Sequence, residues 1–201
     1  MKNSSFNLIE QNQSIESRIV VALERISEAF RVLLWNECKE NALSPIQIQI
    51  IIFIYFHSPE KCRISYLADE FNMTKATISD SVRVLLSKKL VIKLPDAVDS
   101  RSYTLNLTNE GEKVAKKASL FASSIKQPIE KLTDEQKSVW LNGLLKLICD
   151  LNKSGIITIQ RMCFTCSNYQ FEHGIHFCKL LKNKLADHEL RIDCSEHEMR
   201  Q

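Results

Sequence analysis

Apolar residues recur at spacings of three and four in Ile15, Ile19, Ala22, Ile26, Phe30 and Leu33, which predicts one long amphipathic helix over residues 15–39. "LSPIQIQ" then reads as a helix start, with Ser44 as N-cap and Pro45 at the first helical position. That helix is predicted to run to about His57 and to be buried, because it is apolar on nearly every side. "RIS" (63–65) reads as a short strand, and Ser65 as the cap of a short helix over 66–72. Asn72 ends that helix and Thr74 caps the next, over 75–89. Two short helices joined by a tight turn make a helix-turn-helix. In the second, Ile78, Val82 and Leu85 share one face, while Ala76, Ser79, Asp80, Arg83 and Ser87 fall opposite. A core-facing stripe backed by small, polar and basic residues suits a helix that enters a major groove.

"VIKL" and "YTLNL" alternate in strand fashion on either side of the polar "PDAVDSRS", which predicts a β-hairpin. Thr108 is placed as the cap of a helix reaching about Lys126. Thr133 and Gln136 form a capping box for a last long helix ending near Gly155. "LLKNKLADHELRI" (180–192) reads as a helix followed by an extended segment, with His188 on the surface. There is no internal repeat. The predicted fold class is mainly α with a small β-wing, divided into residues 1–155 and a Cys-rich tail, 156–201.

Composition changes this picture little: 44% hydrophobic and 25% charged residues are ordinary globular values. Charge changes it more. The formal net charge is only +3, but residues 61–117 hold eleven Lys/Arg against seven Asp/Glu, so the basic excess lies in the helix-turn-helix and hairpin. The N-terminal "MKNSSFNLIEQNQS" has no apolar region of the kind a secretory signal carries, and "IQIIIFIYF" is too short to span a bilayer. A cytoplasmic protein with no membrane partner is expected. No phosphate loop, dinucleotide fingerprint or nucleophile–base pairing appears, so an enzyme is not expected.

"LSPIQIQIIIFI", "LADEFNMTKATISDSVRVL" and above all "DSRSYTLNLTNEG" (99–111) resemble the MarR family of winged helix-turn-helix regulators. The last is similar to its wing signature, Asp-x-Arg…Leu-x-Leu-Thr-x-x-Gly, and the likeness covers roughly residues 15–153. The resemblance implies an obligate homodimer with interlocked N- and C-terminal helices. It also implies binding to a pseudo-palindromic double-stranded operator, often as a repressor, and leaves room for a small-molecule effector, of a kind that varies across the family. Two positions depart from the common pattern: Lys89 stands where many members have Gly, and Lys93 where many have Arg.

The candidate DNA contacts are Thr74, Lys75, Thr77 and Ser79 at the start of the second helix, Arg83 farther along it, and Lys93, Asp99 and Arg101 in the hairpin. Phosphate contacts would supply affinity and salt dependence, and base contacts specificity. Arg101 is the candidate for minor-groove insertion, with Asp99 holding it. A plain solvated helix face is the competing reading of Lys75, Arg83, Lys88 and Lys89.

The tail "RMCFTCSNYQFEHGIHFC" (161–178) carries three of the seven cysteines and two of the five histidines. Cys163, Cys166, Cys178 and Cys194 follow C-x2-C-x11-C-x15-C, and a short gap lets a pair of thiols turn toward one ion. A tail with few glycines needs something to hold its fold, and metal binding supplies that energy. These four are the predicted metal ligands, with His176 and His197 as reserves. Zinc is the leading expectation and an iron–sulfur cluster the alternative, with Phe164, Tyr169, Phe171 and Phe177 able to shield it or simply to form the tail's core. Cys38, Cys62 and Cys149 are isolated, and Cys149 is expected in the core.

Beside the reading of the tail as a docking module for another protein, three functions compete at this level. One is a dimeric DNA-binding regulator whose metal centre is structural or senses metal or redox state. Another is a regulator governed by a small ligand, with structural zinc. The third, of another class, is a cluster-binding electron carrier.

Overall fold

The computed structural model describes residues 4–95 and 103–200. They fall in two compact units, Met1–Arg63 with Ser79–Ile125, and Ile64–Ile78 with Lys126–Gln201.

In the first unit a short helix, α1 (Leu8–Gln13), leads into α2 (Ile15–Asn41), which starts where Ser14 accepts the Ser17 N–H at 3.1 Å. Helix α3 (Pro45–Phe56) carries the full box at its start: Gln47 accepts from the Ser44 N–H at 2.9 Å, and the Ser44 hydroxyl accepts from the Gln47 N–H. Ile48, Ile50, Ile51, Phe53 and Ile54 of α3 are buried, each worth about 1.5–3 kcal/mol on leaving water. α3 packs on α6 (Asn109–Ala118) and on strand β2 (Tyr103–Leu107). β2 pairs antiparallel with β1 (Val91–Pro95), Val91 facing Leu107 and Pro95 facing Tyr103.

Helix α4 (Ile64–Glu70) and the first turn of α5 (Lys75–Ser87) cluster with the second unit. There α8 (Asp134–Lys153) begins at the Thr133–Gln136 box and buries Leu145 and Cys149. They share a small core with Met162, Cys166, Tyr169 and Leu190. A three-stranded antiparallel sheet follows: β3 (Tyr169–Glu172), β4 (Ile175–Cys178) and β5 (Asn183–Leu185), with β4 central. Glu172 pairs with Ile175 across His173-Gly174, both at positive φ, a two-residue turn suited to strand twist. No helix among the described residues is long and apolar enough to cross a membrane.

Three sequence expectations are corrected. Residues 63–65 form no strand: α4 already begins at Ile64, and the strand-like bond falls one residue before that segment, where Cys62 C=O accepts the Leu105 N–H at 2.8 Å. The helix capped by Thr108 stops at Ala118, tightens through i→i−3 bonds at Leu120 and Phe121, and resumes as α7 (Ser123–Glu130). Residues 180–185 are not helical, because Lys182 adopts a left-handed φ of 55° and β5 pairs with β4.

Candidate nucleic-acid interface and thiol cluster

The turn between α4 and α5 is closed by backbone bonds from Phe71 N–H to Leu67, Asn72 N–H to Asp69 and Met73 N–H to Ala68. Thr74 caps α5: its hydroxyl accepts the Thr77 N–H at 3.1 Å and meets the Thr77 hydroxyl at 2.8 Å. Ile78, Val82 and Leu85 are buried. Thr74, Lys75 and Thr77 are exposed, and Ser79 is half-buried. The Arg83 side chain is exposed and pairs with Asp80 at 3.0 Å, an interaction worth no more than about 1 kcal/mol in water. α5 therefore leaves the hydroxyls and cation of its first turn, and Arg83 farther along, exposed around its buried apolar stripe.

The wing signature has a structural basis. Leu105 and Leu107 are buried. The Thr108 hydroxyl donates to Lys89 C=O at 2.7 Å and accepts the Gly111 N–H at 3.0 Å, tying the start of α6 to the end of α5. Gly111 is required by proximity, since a Cβ there would stand 1.9 Å from the Leu90 carbonyl oxygen. Lys89 takes a left-handed φ of 57°, a conformation that favours glycine. Lys93 is exposed on β1, its ammonium 4.2 Å from the centre of the Tyr103 ring. Asp99 and Arg101 lie outside the described residues.

In the second unit, Cys163, Cys166, Cys178 and Cys194 all line one cavity of about 160 Å³. A single 3-10 turn carries Cys163 and Cys166, with the Cys166 N–H bonded to Cys163 C=O at 3.0 Å. Cys178 ends the central strand, flanked by Tyr169 and Asn183. Cys194 is laced to the first pair by two backbone bonds, Cys163 N–H to Arg191 C=O at 3.0 Å and Cys194 N–H to Arg161 C=O at 2.9 Å. The Arg191 N–H points at the Cys163 sulfur at 3.2 Å, and its guanidinium reaches the Cys194 sulfur at 3.5 Å. Burial pushes the Cys163 thiol above its ordinary range.

The reserve histidines are engaged elsewhere. His176 stands between the Tyr169 hydroxyl at 2.6 Å and Asp187 at 3.4 Å, while His197 bonds the Thr165 hydroxyl at 3.0 Å. Of the four tail aromatics, Tyr169 alone lines the cavity; burial pushes its hydroxyl up to about 12. Phe171 is exposed. Cys38 and Cys62 are buried in the first unit, while Cys149 packs in the same small core as Cys166 without lining the cavity. Among the described residues, no group of three or more His, Cys, Asp or Glu side chains is gathered tightly enough to hold a metal ion.

Sequence reasoning missed Arg161, which is buried at the centre of an ionic cluster in the second unit. It donates to Glu70 on α4 at 2.6 and 3.2 Å, to Asp193 at 2.7 and 2.9 Å, and to the Tyr66 hydroxyl at 2.9 Å. Burial opposes its charge, but the two carboxylates outweigh it and hold the guanidinium above its ordinary value. No sequence signal marks it, because its α4 partners are about ninety residues away.

Residues 43–102 match the model of the MarR family. Among solved structures, Staphylococcus aureus MepR in its DNA-binding conformation is similar with a TM-score of 0.59 and 21% identity, over 66% of this chain and 98% of that one. A MepR–DNA complex gives 0.57 and 22%, over 66% and 97%. MepR described as a transcription regulator of the S. aureus multidrug efflux pump MepA gives 0.51 and 21%, over 65% and 96%. At these identities the likeness establishes the fold. No curated protein sequence matches the chain.

Proposed function

We propose, from the premise that residues 43–102 form a MarR-family winged-helix domain, that this chain is a sequence-specific DNA-binding transcription regulator, acting as a homodimeric repressor. The observation that carries the reading is α5. It buries Ile78, Val82 and Leu85 and leaves Lys75, Thr77 and Arg83 in solvent, beside a hairpin whose Lys93 is also exposed. Exposed cations and hydroxyls on this helix supply phosphate and base-edge contacts.

The dimer is supported by apolar side chains that a single chain leaves exposed. Leu8, Ile9, Ile15, Ile19 and Phe30, on α1 and α2, are each at least 40% exposed. An exposed stripe of this kind marks an association surface. Two copies related by a two-fold axis would read two half-sites about one helical turn apart. An open hollow between Leu23, Ile26, Phe30, Leu34 and Phe121 offers a small apolar effector a place in the first unit.

The test is selection from a random double-stranded DNA pool, followed by binding titrations over a range of salt. A pseudo-palindromic consensus is expected. Arg83→Ala and Arg101→Ala should each weaken binding and make the salt slope shallower, by up to about one unit for each phosphate left without its cation. Enrichment of no sequence, with a chain that sediments as a monomer, would overturn the proposal.

A further inference from the structure

The proposed DNA-binding role leaves the cysteine-lined cavity without a purpose. We propose that this cavity is the seat of an iron–sulfur cluster ligated by Cys163, Cys166, Cys178 and Cys194.

The volume argues first. Zinc bound to four thiolates at about 2.3 Å draws the sulfurs to within about 3.8 Å of one another, which leaves no room between them. Together with ten other residues the four thiols border a cavity of about 160 Å³, roomier than the roughly 10–15 Å³ that a single water needs. The spread of the ligands argues the same way. All four cysteines border this one cavity, and they come from three separate stretches of the tail, at 163–166, 178 and 194. A cluster distributes its cysteines over several irons and so accepts a wider set.

The surroundings suit an anionic, sulfur-rich group. Four thiolates together with inorganic sulfide leave a net negative centre, and Arg191 and Lys184 line the cavity beside Glu189 and Glu196. Arg191 aims its backbone N–H at one ligand sulfur and its guanidinium at another, the kind of hydrogen bond that tunes cluster potential. Leu180, Leu181 and Leu185 supply apolar wall. The imidazoles do not compete: His176 and His197 are hydrogen-bonded outside the cavity, so the ligand set is all thiolate. On assembly each thiol gives its proton to solvent as its sulfur bonds iron; sulfide and ferric iron come from outside the chain, and any ferrous iron the cluster needs comes from ferric iron reduced by an external thiol, which ends as a disulfide.

The experiment uses the full chain purified without oxygen, and needs no DNA, so its outcome is separate from that of the regulatory reading. Absorbance, iron, acid-labile sulfide and zinc are measured, before and after reconstitution with ferric iron and sulfide and a thiol that reduces part of that iron to ferrous. A brown protein absorbing near roughly 400 nm, with equal iron and sulfide at about two or about four per chain, is expected. Cys178→Ser and Cys194→Ser should each lose most of that colour, while His197→Ala should keep it. Iron and sulfide in the parent protein decide the matter even if a cysteine variant fails to fold. A colourless protein that holds about one zinc per chain through reconstitution would overturn the proposal, as would one that takes up neither metal nor sulfide.

Discussion

Replacing Arg161 by Met keeps an unbranched side chain but deletes the charge that two carboxylates and a phenol surround. The Arg161 side chain is 7% exposed and that of Glu70 is 16%, so this pair is largely out of water. Removing one partner of a buried pair costs about 3–5 kcal/mol, because the other charge is left uncompensated. Asp193 is 44% exposed and regains water, so its share is about 1 kcal/mol or less. A loss near 3 kcal/mol is therefore expected in the second unit, and for about ninety residues this lowers its midpoint by roughly 12–24 °C. The chain's two tryptophans make the assay local. Trp35 lies on α2 in the first unit and Trp140 on α8 in the second, so a Trp35→Phe background leaves emission from the second unit alone. Adding Glu70→Gln to Arg161→Met should recover much of the loss, since the stranded charge is then gone. A shift below about 0.5 kcal/mol for Arg161→Met would refute the reasoning, showing that desolvation had already cancelled the pair.

Three further outcomes follow from single positions. Gly111→Ala should destabilise the first unit by about 1–3 kcal/mol or more, because its Cβ would overlap the Leu90 carbonyl; thermal melts followed by Trp35 in a Trp140→Phe background check this. Lys89→Gly should stabilise the same unit by about 0.5–1 kcal/mol, the left-handed cost of a side chain less the extra freedom glycine loses on folding, and an unchanged melt would count against it. Burial, with Glu60 nearby, pushes the Cys62 thiol up to about 11. At pH 8 its alkylation should therefore run about a hundredfold slower than in unfolded protein, as read by mass spectrometry. The same shift means that stability contributed at Cys62 is present below about pH 9 and is lost as pH rises toward 11, since the unfolded thiol ionises first. A Cys62→Ala variant should lack that loss.

The parts of the fold that were legible in sequence are those with local causes. Ser44 with Gln47, and Thr133 with Gln136, mark helix starts through bonds three residues long, and α5 is set by one apolar stripe. What was not legible depends on distant partners. β5 is three residues long and exists because β4 lies beside it. The interruption after Ala118 and the left-handed Lys182 leave no mark in hydrophobic spacing. Cysteine spacing was enough to single out four thiols, which the structure places on one cavity; it could not set the size of that cavity or its other walls. Lys89 shows the reverse case, a resemblance that marks a position as unusual and a backbone angle that explains why glycine is common there.

The Arg161 cluster and the thiol cavity share their chain segments, which ties the cavity to the helix-turn-helix. Arg161 precedes Cys163 by two residues, and Asp193 adjoins Cys194. Their backbones are bonded to each other, and the Arg161 side chain grips Glu70 and Tyr66 on α4, the first helix of the helix-turn-helix. Ligating or releasing Cys163 and Cys194 therefore acts next to the carbonyl and guanidinium of Arg161, the groups that join the tail to α4. An occupant of the cavity can bias α4 only by its differential interaction with two arrangements, and couplings of this kind run to about 1–3 kcal/mol, or about 5–150-fold in affinity. The selected operator should therefore be bound with different affinity by the cluster-loaded and cluster-free proteins, within that range. Glu70→Gln, which loosens the grip without touching a thiol or a DNA contact, should shrink the difference toward unity. Equal affinities of loaded and cluster-free parent protein would confine the cluster to a structural role. A difference that survives Glu70→Gln intact would send the coupling by a route other than Arg161.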